Sequence, residues 1–373
     1  MVSGHAYPWD VVGDPAFLDR ATETVTLAVA YHSTRAATPL HPAHQIVDAR
    51  HAALYRPIRA AAWRGHGLTP RPADWMTGAD PAGEAAALLK RSGRRVNAWI
   101  VLTHDSRLGT ERPDVAVVNC FGESYRYALC PAHAEVRDYA ATLAAEAVRD
   151  ADFDGISLEA CGQLGVAHLG QHEKTEGAWT PRTAQLLSIC CCTACRAAWR
   201  DDGLEPDEVV AALREAVRLP GASPSGAVLA ALLAVRHRHT DQLRRQVLDG
   251  LPRIPVTLHA HPDPWVSGPS PGLTPTAADD VDALLVPCWP TASSTADLVR
   301  QAAATGLPID AYVTVLAPTD PDALTPHLQR LTDAGARGFG LYHLGLAPAW
   351  RQELFVKEPL CTDNGPLPPS PPS

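Results

Sequence analysis

Short apolar runs alternate along the chain with longer segments in which apolar residues recur every three to four positions. The short runs are rich in Val, Ile and aromatic residues, which predicts buried β-strands, and the longer segments predict helices. Seven strands are predicted clearly, with a weaker eighth near residues 7–12; the seven lie at residues 25–31, 96–102, 153–159, 254–258, 281–286, 309–315 and 338–342. Helices are predicted at residues 135–149, 205–218, 227–248, 295–305 and 322–334.

Near-continuous apolar strands that alternate with helices indicate a parallel sheet covered on both faces. Eight such units fit a (β/α)8 barrel, the TIM-barrel fold, better than two Rossmann-like halves, and no GxGxxG motif follows the first clear strand. Long loops follow the third and fourth strands, at residues 105–130 and 160–189. We therefore expect one α/β domain over residues 1–358, followed by a disordered Pro/Ser-rich tail at residues 359–373.

The composition is that of an ordinary soluble globular protein, with 46% apolar and 20% charged residues. The net charge of −9 comes without a basic stripe or polybasic tail, so we expect neither a nucleic-acid partner nor a membrane partner. No apolar run is long enough to span a bilayer, and the first residues lack the pattern of a secretory signal. A cytoplasmic location is the expectation, and the oligomeric state stays open.

The residues that follow the predicted strands are chemically unlike the apolar strands themselves. In a barrel of this kind the reactive groups lie at the carboxyl ends of the strands, so we expect a ligand site there. The His, Asp, Glu, Arg and aromatic residues at these positions are His32, Arg35, His104, Asp105, Glu159, His259, His261, Asp263, Trp265, Trp289 and His343.

Nine cysteines, an odd number, argue against a disulfide framework, and four of them crowd into residues 190–195. The C-x-C-x-x-C subset formed by Cys190, Cys192 and Cys195 allows three thiolates to face one tetrahedral centre, which suits zinc. Cys130, which precedes a predicted helix, is the best-placed fourth ligand. Four thiolates leave no open position, so we predict a structural zinc ion, and Cys191 is expected to point away from it.

The order of these cysteines and of the motifs around them resembles that of a known enzyme family. Cys130-Pro131, the helix start Val136-Arg137-Asp138-Tyr139, Glu159 at a strand end and the C-x-C-x-x-C motif occur in the order found in clan A glycoside hydrolases, in particular the family 42 β-galactosidases. The chain is also similar to uncharacterised bacterial barrel proteins that are grouped with glycosyl hydrolases. The resemblance implies a carbohydrate substrate, a zinc site and Glu159 as the acid/base. Two positions differ from the family: Leu158 stands where it has asparagine, and the seventh strand is followed by no carboxylate before Asp320.

Glu159 ends an apolar strand, and partial burial there would raise its pKa and suit it to general acid catalysis. A glycosidase also needs a second carboxylate, about 5 Å away for retention or about 6.5–9.5 Å for inversion. The candidates are Asp263, Asp105, Glu123 and Asp10, and Asp263 comes first because it lies between prolines beside Trp265.

The loop after the fourth strand holds one of only three lysines, Lys174, close to His168 and His172. The i, i+4 spacing of these histidines can bind zinc on a helix, but Gly170 argues for a loop, so substrate hydrogen bonding is the preferred interpretation over a solvated loop. Flat faces for stacking on sugar rings are offered by Tyr125, Tyr127, Trp179, Trp265 and Trp289.

Three functions therefore stay open. The first is a glycosidase that acts on a small glycoside or oligosaccharide. The second is a barrel that binds a carbohydrate or related molecule and has lost turnover, as the missing carboxylate after the seventh strand suggests. The third is a metal-dependent hydrolase that uses the rim histidines His32, His104, His259 and His261.

Overall fold

The computed structural model describes residues 2–168, 173–175 and 177–357. The predicted ligand-binding residue His172 and the predicted tail at 359–373 lie outside these ranges. The strands are β1 Val2–Ala6, β2 Thr24–Tyr31, β3 Thr34–Ala37, β4 Ile46–Ala49, β5 Ala53–Leu54, β6 Arg71–Pro72, β7 Arg95–Val101, β8 Ala116–Val118, β9 Ser124–Leu129, β10 Gly155–Glu159, β11 Val256–His259, β12 Ala283–Pro287, β13 Ile309–Val313 and β14 Ala336–Leu341. The helices are α1 Pro8–Val11, α2 Phe17–Arg20, α3 Pro81–Arg91, α4 Ser106–Glu111, α5 Ala134–Val148, α6 Pro181–Leu187, α7 Thr193–Asp201, α8 Pro206–Arg218, α9 Gly226–Asp249, α10 Ala277–Asp280, α11 Ser294–Ala303, α12 Pro321–Asp333 and α13 Ala349–Lys357, with 3-10 turns at Pro113–Val115 and Leu344–Leu346.

Eight parallel strands form a closed barrel, which confirms the predicted fold class. Going round the barrel, the strands follow the order β1, β2, β7, β10, β11, β12, β13 and β14, and β14 pairs with β1 to close it. All eight residues of β2 are buried, because helices cover its outer face and side chains fill the inner one. The closure brings the carboxyl ends of all eight strands to one rim.

The seven clearly predicted strands and the five predicted helices lie within two residues of the observed bounds. The weaker prediction of a strand near residues 7–12 is wrong, because the first strand is Val2–Ala6 and Pro8 begins a short helix. The physical reason is local: Pro8 has no amide hydrogen to give to a sheet, and Asp10 accepts the backbone N–H of Tyr7 at 2.8 Å.

The two long loops carry structure of their own. The loop after β7 holds α4 and the antiparallel β8–β9 hairpin, and the loop after β10 leads into α6 and α7. The backbone N–H of Cys191 donates to the carbonyl of Val118, so the second loop packs against the first. Within the ranges described here, no helix is both long and apolar enough to cross a membrane.

Candidate functional site

Glu159 is the last residue of β10, the fourth barrel strand, and its side chain faces the barrel interior. It is only 5% exposed. The indole Nε1 of Trp99 donates a hydrogen bond of 2.8 Å to Glu159 Oε2. Burial raises the pKa of Glu159 to about 8, and the hydrogen bond from Trp99 offsets only part of that rise. At neutral pH the carboxyl group is therefore mainly protonated, as a general acid must be.

Tyrosine rings surround this carboxyl group. Tyr31 packs edge-on against Trp99 with 4.6 Å between ring centroids, and Tyr312 lies 5.8 Å from Tyr342. Burial raises the pKa of all three phenols, and a charge on Glu159 would raise each of them further, so they stay neutral beside it. The hydroxyl of Tyr312 is buried and has no hydrogen-bond partner among the described residues.

Two buried histidines, His259 and His5, lie near Glu159 inside the barrel. His259 Nδ1 is 3.7 Å from Glu159 Oε2, and its Nε2 is 2.9 Å from Ser157 Oγ. His5 packs edge-on against Trp99 at 4.8 Å and against His259 at 5.9 Å. Burial lowers the pKa of both imidazoles, that of His5 to about 3, so they are neutral. Such neutral groups offer Glu159 no charge that would keep it ionised.

His343, directly beyond β14, has an unusual backbone. Its φ of +44° lies in the left-handed region, and Ala160, which follows Glu159, shares that region with φ of +53°. The His343 ring stacks on Tyr7 at 4.3 Å, and its Nε2 is 3.1 Å from the Tyr7 hydroxyl. Residues without glycine's freedom are held in this conformation only where surrounding contacts impose it, and such positions concentrate at functional sites.

The candidate second carboxylates differ in their surroundings. Asp105 is buried and caps α4, its Oδ1 accepting the N–H of Leu108 at 2.9 Å. Asp263 is exposed, and its Oδ1 accepts the N–H of Trp265 at 2.9 Å. Glu123 is exposed on the β8–β9 hairpin and accepts the side-chain N–H of Asn119 at 2.7 Å. Among the described residues, no hydrogen bond or ion pair joins any of the three to Glu159, so their catalytic roles remain predictions.

Asp10 is a further buried acid near the start of the chain. Burial raises its pKa to about 7, and the bond from the Tyr7 N–H opposes that rise. This bond is part of the cap of α1, which is a structural role.

Three imidazole rings contact one another in a row that begins at Tyr31. His32 stacks on Tyr31 at 4.2 Å and on His104 at 4.3 Å. His104 Nε2 lies 3.1 Å from His168 Nε2, and Tyr127 stacks on His168 at 3.9 Å. Of the predicted binding residues, the structure thus joins His32, His104 and His168 into one cluster.

The other predicted binding residues are spread more widely. Trp289 is 41% exposed and lies 4.7 Å from Tyr342, so it belongs to the outer part of the Glu159 surroundings. His261 Nδ1 accepts the N–H of Asp263 in the loop after β11. Arg35 and Lys174 are exposed. Tyr125 stacks on Tyr127 at 5.9 Å and donates its hydroxyl to the carbonyl of Leu187.

Sequence analysis missed several residues that touch or enclose Glu159. Trp99 and Ser157 lie inside predicted strands, and only their register on neighbouring strands shows that both point inward. One signal in the sequence could have identified Ser157. It is a polar residue two positions before Glu159, so its side chain lies on the same face of the strand. The missed residues are His5, Tyr7, Trp99, Ser157 and Tyr312.

The raised pKa of Glu159 predicts a pH-dependent stability. The folded state holds this proton up to about pH 8, against an ordinary value of 4.5, so the free energy of unfolding falls as pH rises between these values. In Glu159→Gln this pH dependence disappears. Between about pH 5 and pH 7 the wild type should therefore lose about 3 kcal/mol of unfolding free energy that the variant does not lose. Urea unfolding of both proteins at the two pH values measures it; parallel pH profiles would contradict it.

Four cysteines from the two long loops meet in one buried cluster. The sulfurs of Cys130, Cys190, Cys192 and Cys195 all lie within 4.8 Å of one another. The sulfur of Cys130 is 3.7 Å from those of Cys192 and Cys195. Four tetrahedral sulfurs about 2.3 Å from a zinc ion would be about 3.8 Å apart, so the cluster has the size for a metal ion.

The electrostatics and orientation of this cluster also fit a metal site. Hydrogen bonds with the thiols of Cys130, Cys190 and Cys195 lower the pKa of Cys192 far below its usual range. The pKa of Cys130 is raised, mainly by its hydrogen bond with Cys190, and that of Cys195 is raised mainly by its hydrogen bond with Cys130. Cys191 is turned away and donates its S–H to the carbonyl of Ile189. A cluster that already favours one thiolate is suited to a cation.

No family model and no curated protein matches this chain. Solved structures do match over more than nine-tenths of it. The catalytic domain of β-amylase from Paenibacillus polymyxa gives a TM-score of 0.58 at 14% identity and covers 96% of this chain and 98% of its own. The PgaB (BpsB) glycoside hydrolase domain from Bordetella bronchiseptica gives 0.55 at 16% identity, with 91% and 92% covered. α-L-Fucosidase isoenzyme 2 from Paenibacillus thiaminolyticus gives 0.58 at 16% identity with 94% of this chain covered, and the chain spans only 47% of that protein. At these identities the comparison shows a shared fold, a barrel of eight parallel strands.

Proposed function

We propose that this protein is a glycoside hydrolase in which Glu159 is the general acid/base. The observation that carries the proposal is a buried carboxyl group at the end of the fourth barrel strand, enclosed by aromatic rings, where burial raises its pKa to about 8. The barrels that resemble this one belong to enzymes described as a fucosidase, a β-amylase and a glycoside hydrolase domain, which favours a carbohydrate substrate.

The chemistry follows from the surroundings of Glu159. The protonated carboxyl group donates its proton to the glycosidic oxygen as the bond to the anomeric carbon breaks, and the leaving group departs as a neutral alcohol. Trp99 holds one carboxyl oxygen through its N–H, which leaves the other oxygen for the substrate. The Trp289 and Tyr342 rings offer flat faces toward the opening for a sugar ring.

Asp263 remains our first choice for the second carboxylate. It is exposed beside Trp265, whereas Asp105 caps α4 and Glu123 lies on the β8–β9 hairpin.

Asp263→Asn should abolish turnover, whereas Asp105→Asn should mainly destabilise the fold. Monitoring the anomer first released by NMR separates retention from inversion.

For substrate binding we propose the aromatic and imidazole groups of the rim together with the exposed charges beside them. These are His32, Arg35, His104, Tyr125, His168, Lys174, His261, Trp265, Trp289 and His343. For the cysteine cluster we propose zinc in a structural role, because four thiolates leave no open coordination position.

The pKa of Glu159 sets the alkaline limit of the proposed activity. As pH rises through about 8 the acid loses its proton, so kcat/KM for a natural glycoside should fall about tenfold per pH unit above that point. Initial rates measured across this range test the expectation. A rate that stays constant to well above pH 9 would assign the proton donor to another group.

A second function is favoured by one observation. Tyr312, on the seventh barrel strand, is neutral and buried near Glu159, and the strand is followed by no carboxylate before Asp320, which caps α12. A barrel that binds a sugar without cleaving it would have this arrangement. A panel of aryl glycosides and oligosaccharides separates the two: turnover supports the hydrolase, and calorimetric binding without turnover supports the binding protein.

A further inference from the structure

The imidazoles of His104 and His168 face each other across the rim nitrogen to nitrogen. Their Nε2 atoms are 3.1 Å apart, although the two residues are 64 positions apart in the chain. Two imidazole nitrogens, each about 2.0–2.1 Å from a tetrahedral metal ion, lie about 3.3 Å apart. The observed spacing therefore fits two ligands of one cation, as well as a single shared proton.

The surroundings of His168 resemble those of a metal ligand. Its Nδ1 lies 2.5 Å from Glu173 Oε1, and since a carboxylate accepts the proton there, the lone pair of Nε2 is left facing His104. A carboxylate that fixes the tautomer of a ligating histidine in this way is the usual support of such a ligand. Tyr127, stacked at 3.9 Å, fixes the plane of the ring.

His32 stands beside the pair. Its Nδ1 lies 2.7 Å from the carbonyl of Ser33, which leaves the lone pair on its Nε2, and its ring is 4.3 Å from that of His104. In the described part of the chain, however, only the four cysteines bring three or more ligand atoms close enough for a metal ion. His104 and His168 thus supply two protein ligands and leave the other coordination positions of a metal ion open.

We propose that His104 and His168 form a second metal site, at the mouth of the barrel, that takes a divalent cation such as Zn²⁺, Co²⁺ or Ni²⁺. Imidazole nitrogen suits these ions. The open positions would take water or two hydroxyl groups of a carbohydrate. Two ligands hold a cation weakly, and the Nδ1 of His104 has no partner among the described residues. The site should therefore exchange its ion readily, unlike the buried tetrathiolate.

Another histidine pair in this chain provides a matched control. His41 and His44 stack with 3.6 Å between centroids, yet His41 Nε2 is 3.2 Å from the carbonyl of Val12 and His44 Nδ1 is 2.8 Å from the hydroxyl of Thr38. Their nitrogens do not face one another. His44→Ala should leave metal binding at the rim unchanged.

The test is a Co²⁺ titration of the protein as purified, read by absorption and by analysis of all bound metals at equilibrium, without a chelator. We expect two metal ions per chain: one zinc or cobalt ion in the tetrathiolate, and one cobalt ion at the rim that shows only weak d–d bands. His104→Ala and His168→Ala should each lose the second ion, while Glu173→Gln weakens its binding by about 10–100-fold. The ion retained by the four cysteines reports that each variant is folded.

The rim site would be overturned if the wild type bound only one metal ion per chain, or if the second ion persisted in both alanine variants. The pair would then be two imidazoles that share a proton. The result is a metal content, so it does not depend on whether the protein cleaves glycosides. Inactivity on every glycoside would remove the proposed hydrolase and leave the rim site standing.

Discussion

Replacing Glu159 by glutamine should reduce the hydrolysis of a natural glycoside by about 10²–10⁴-fold, the usual contribution of general acid catalysis. Glutamine keeps the shape of the side chain and can still accept the Trp99 N–H, but it has no proton to give. A substrate with an activated phenolate leaving group needs little protonation, so its rate should fall much less. The measurement is kcat/KM for both substrates in wild type and variant.

The comparison between the substrates separates the explanations. Equal losses on both would indicate damage to binding or folding, and unchanged activity would assign the acid to another residue. Trp99→Phe keeps an aromatic ring but removes the hydrogen bond to Glu159, together with part of the buried indole. Since that bond lowers the pKa of the carboxyl group, its loss should raise the alkaline limit of activity and preserve most of the rate at neutral pH.

Replacing Cys192 by serine should empty the tetrathiolate site and destabilise the whole barrel. Cys192 is the N-cap residue of α7, and its sulfur lies 3.7 Å from that of Cys130. Metal binding contributes to folding free energy, about 10–16 kcal/mol in small zinc domains, so a loss of more than about 3 kcal/mol is expected here. Metal analysis together with urea unfolding measures both effects.

Cys191→Ser is the control for this experiment. The side chain of Cys191 points away from the cluster and donates to the carbonyl of Ile189, so the variant should keep its metal and lose at most about 1 kcal/mol. A wild-type protein purified without chelators that contains no zinc would remove the site. Equal metal loss in the Cys191 and Cys192 variants would show that the ligand set is different.

Local sequence pattern was sufficient for the barrel. Strand runs and helical periods are set by burial over five to fifteen neighbouring positions, and that is why twelve predicted elements lie close to their observed bounds. The first strand was misplaced because the apolar residues at 7–12 outweighed a local signal, Pro8 followed by Asp10, that marks a helix start. Glu159 was chosen as the candidate acid from the same local pattern, because its strand ends where an apolar run meets a charge.

The cysteine cluster lies between local and tertiary information. The spacing of Cys190, Cys192 and Cys195 predicts three facing thiolates by itself, because a turn and one helical step separate them. The fourth, Cys130, was chosen for its place before a helix and for the family resemblance. Only the packing of the two long loops against each other brings its sulfur to within 3.7 Å of two of the others.

The surroundings of Glu159 and the histidine pair depend on tertiary structure alone. Tyr7 and His343 are 336 positions apart, yet their side chains are in contact because β1 pairs with β14 to close the barrel. Which side chains point inward at each level is decided by the register between neighbouring strands, and no pattern within one strand contains that register. By itself the sequence determined the barrel, its polar rim and the thiolate motif, since these depend on burial and spacing along the chain. The closure of the sheet decided which rim residues meet, because it alone brings distant strand ends within contact distance.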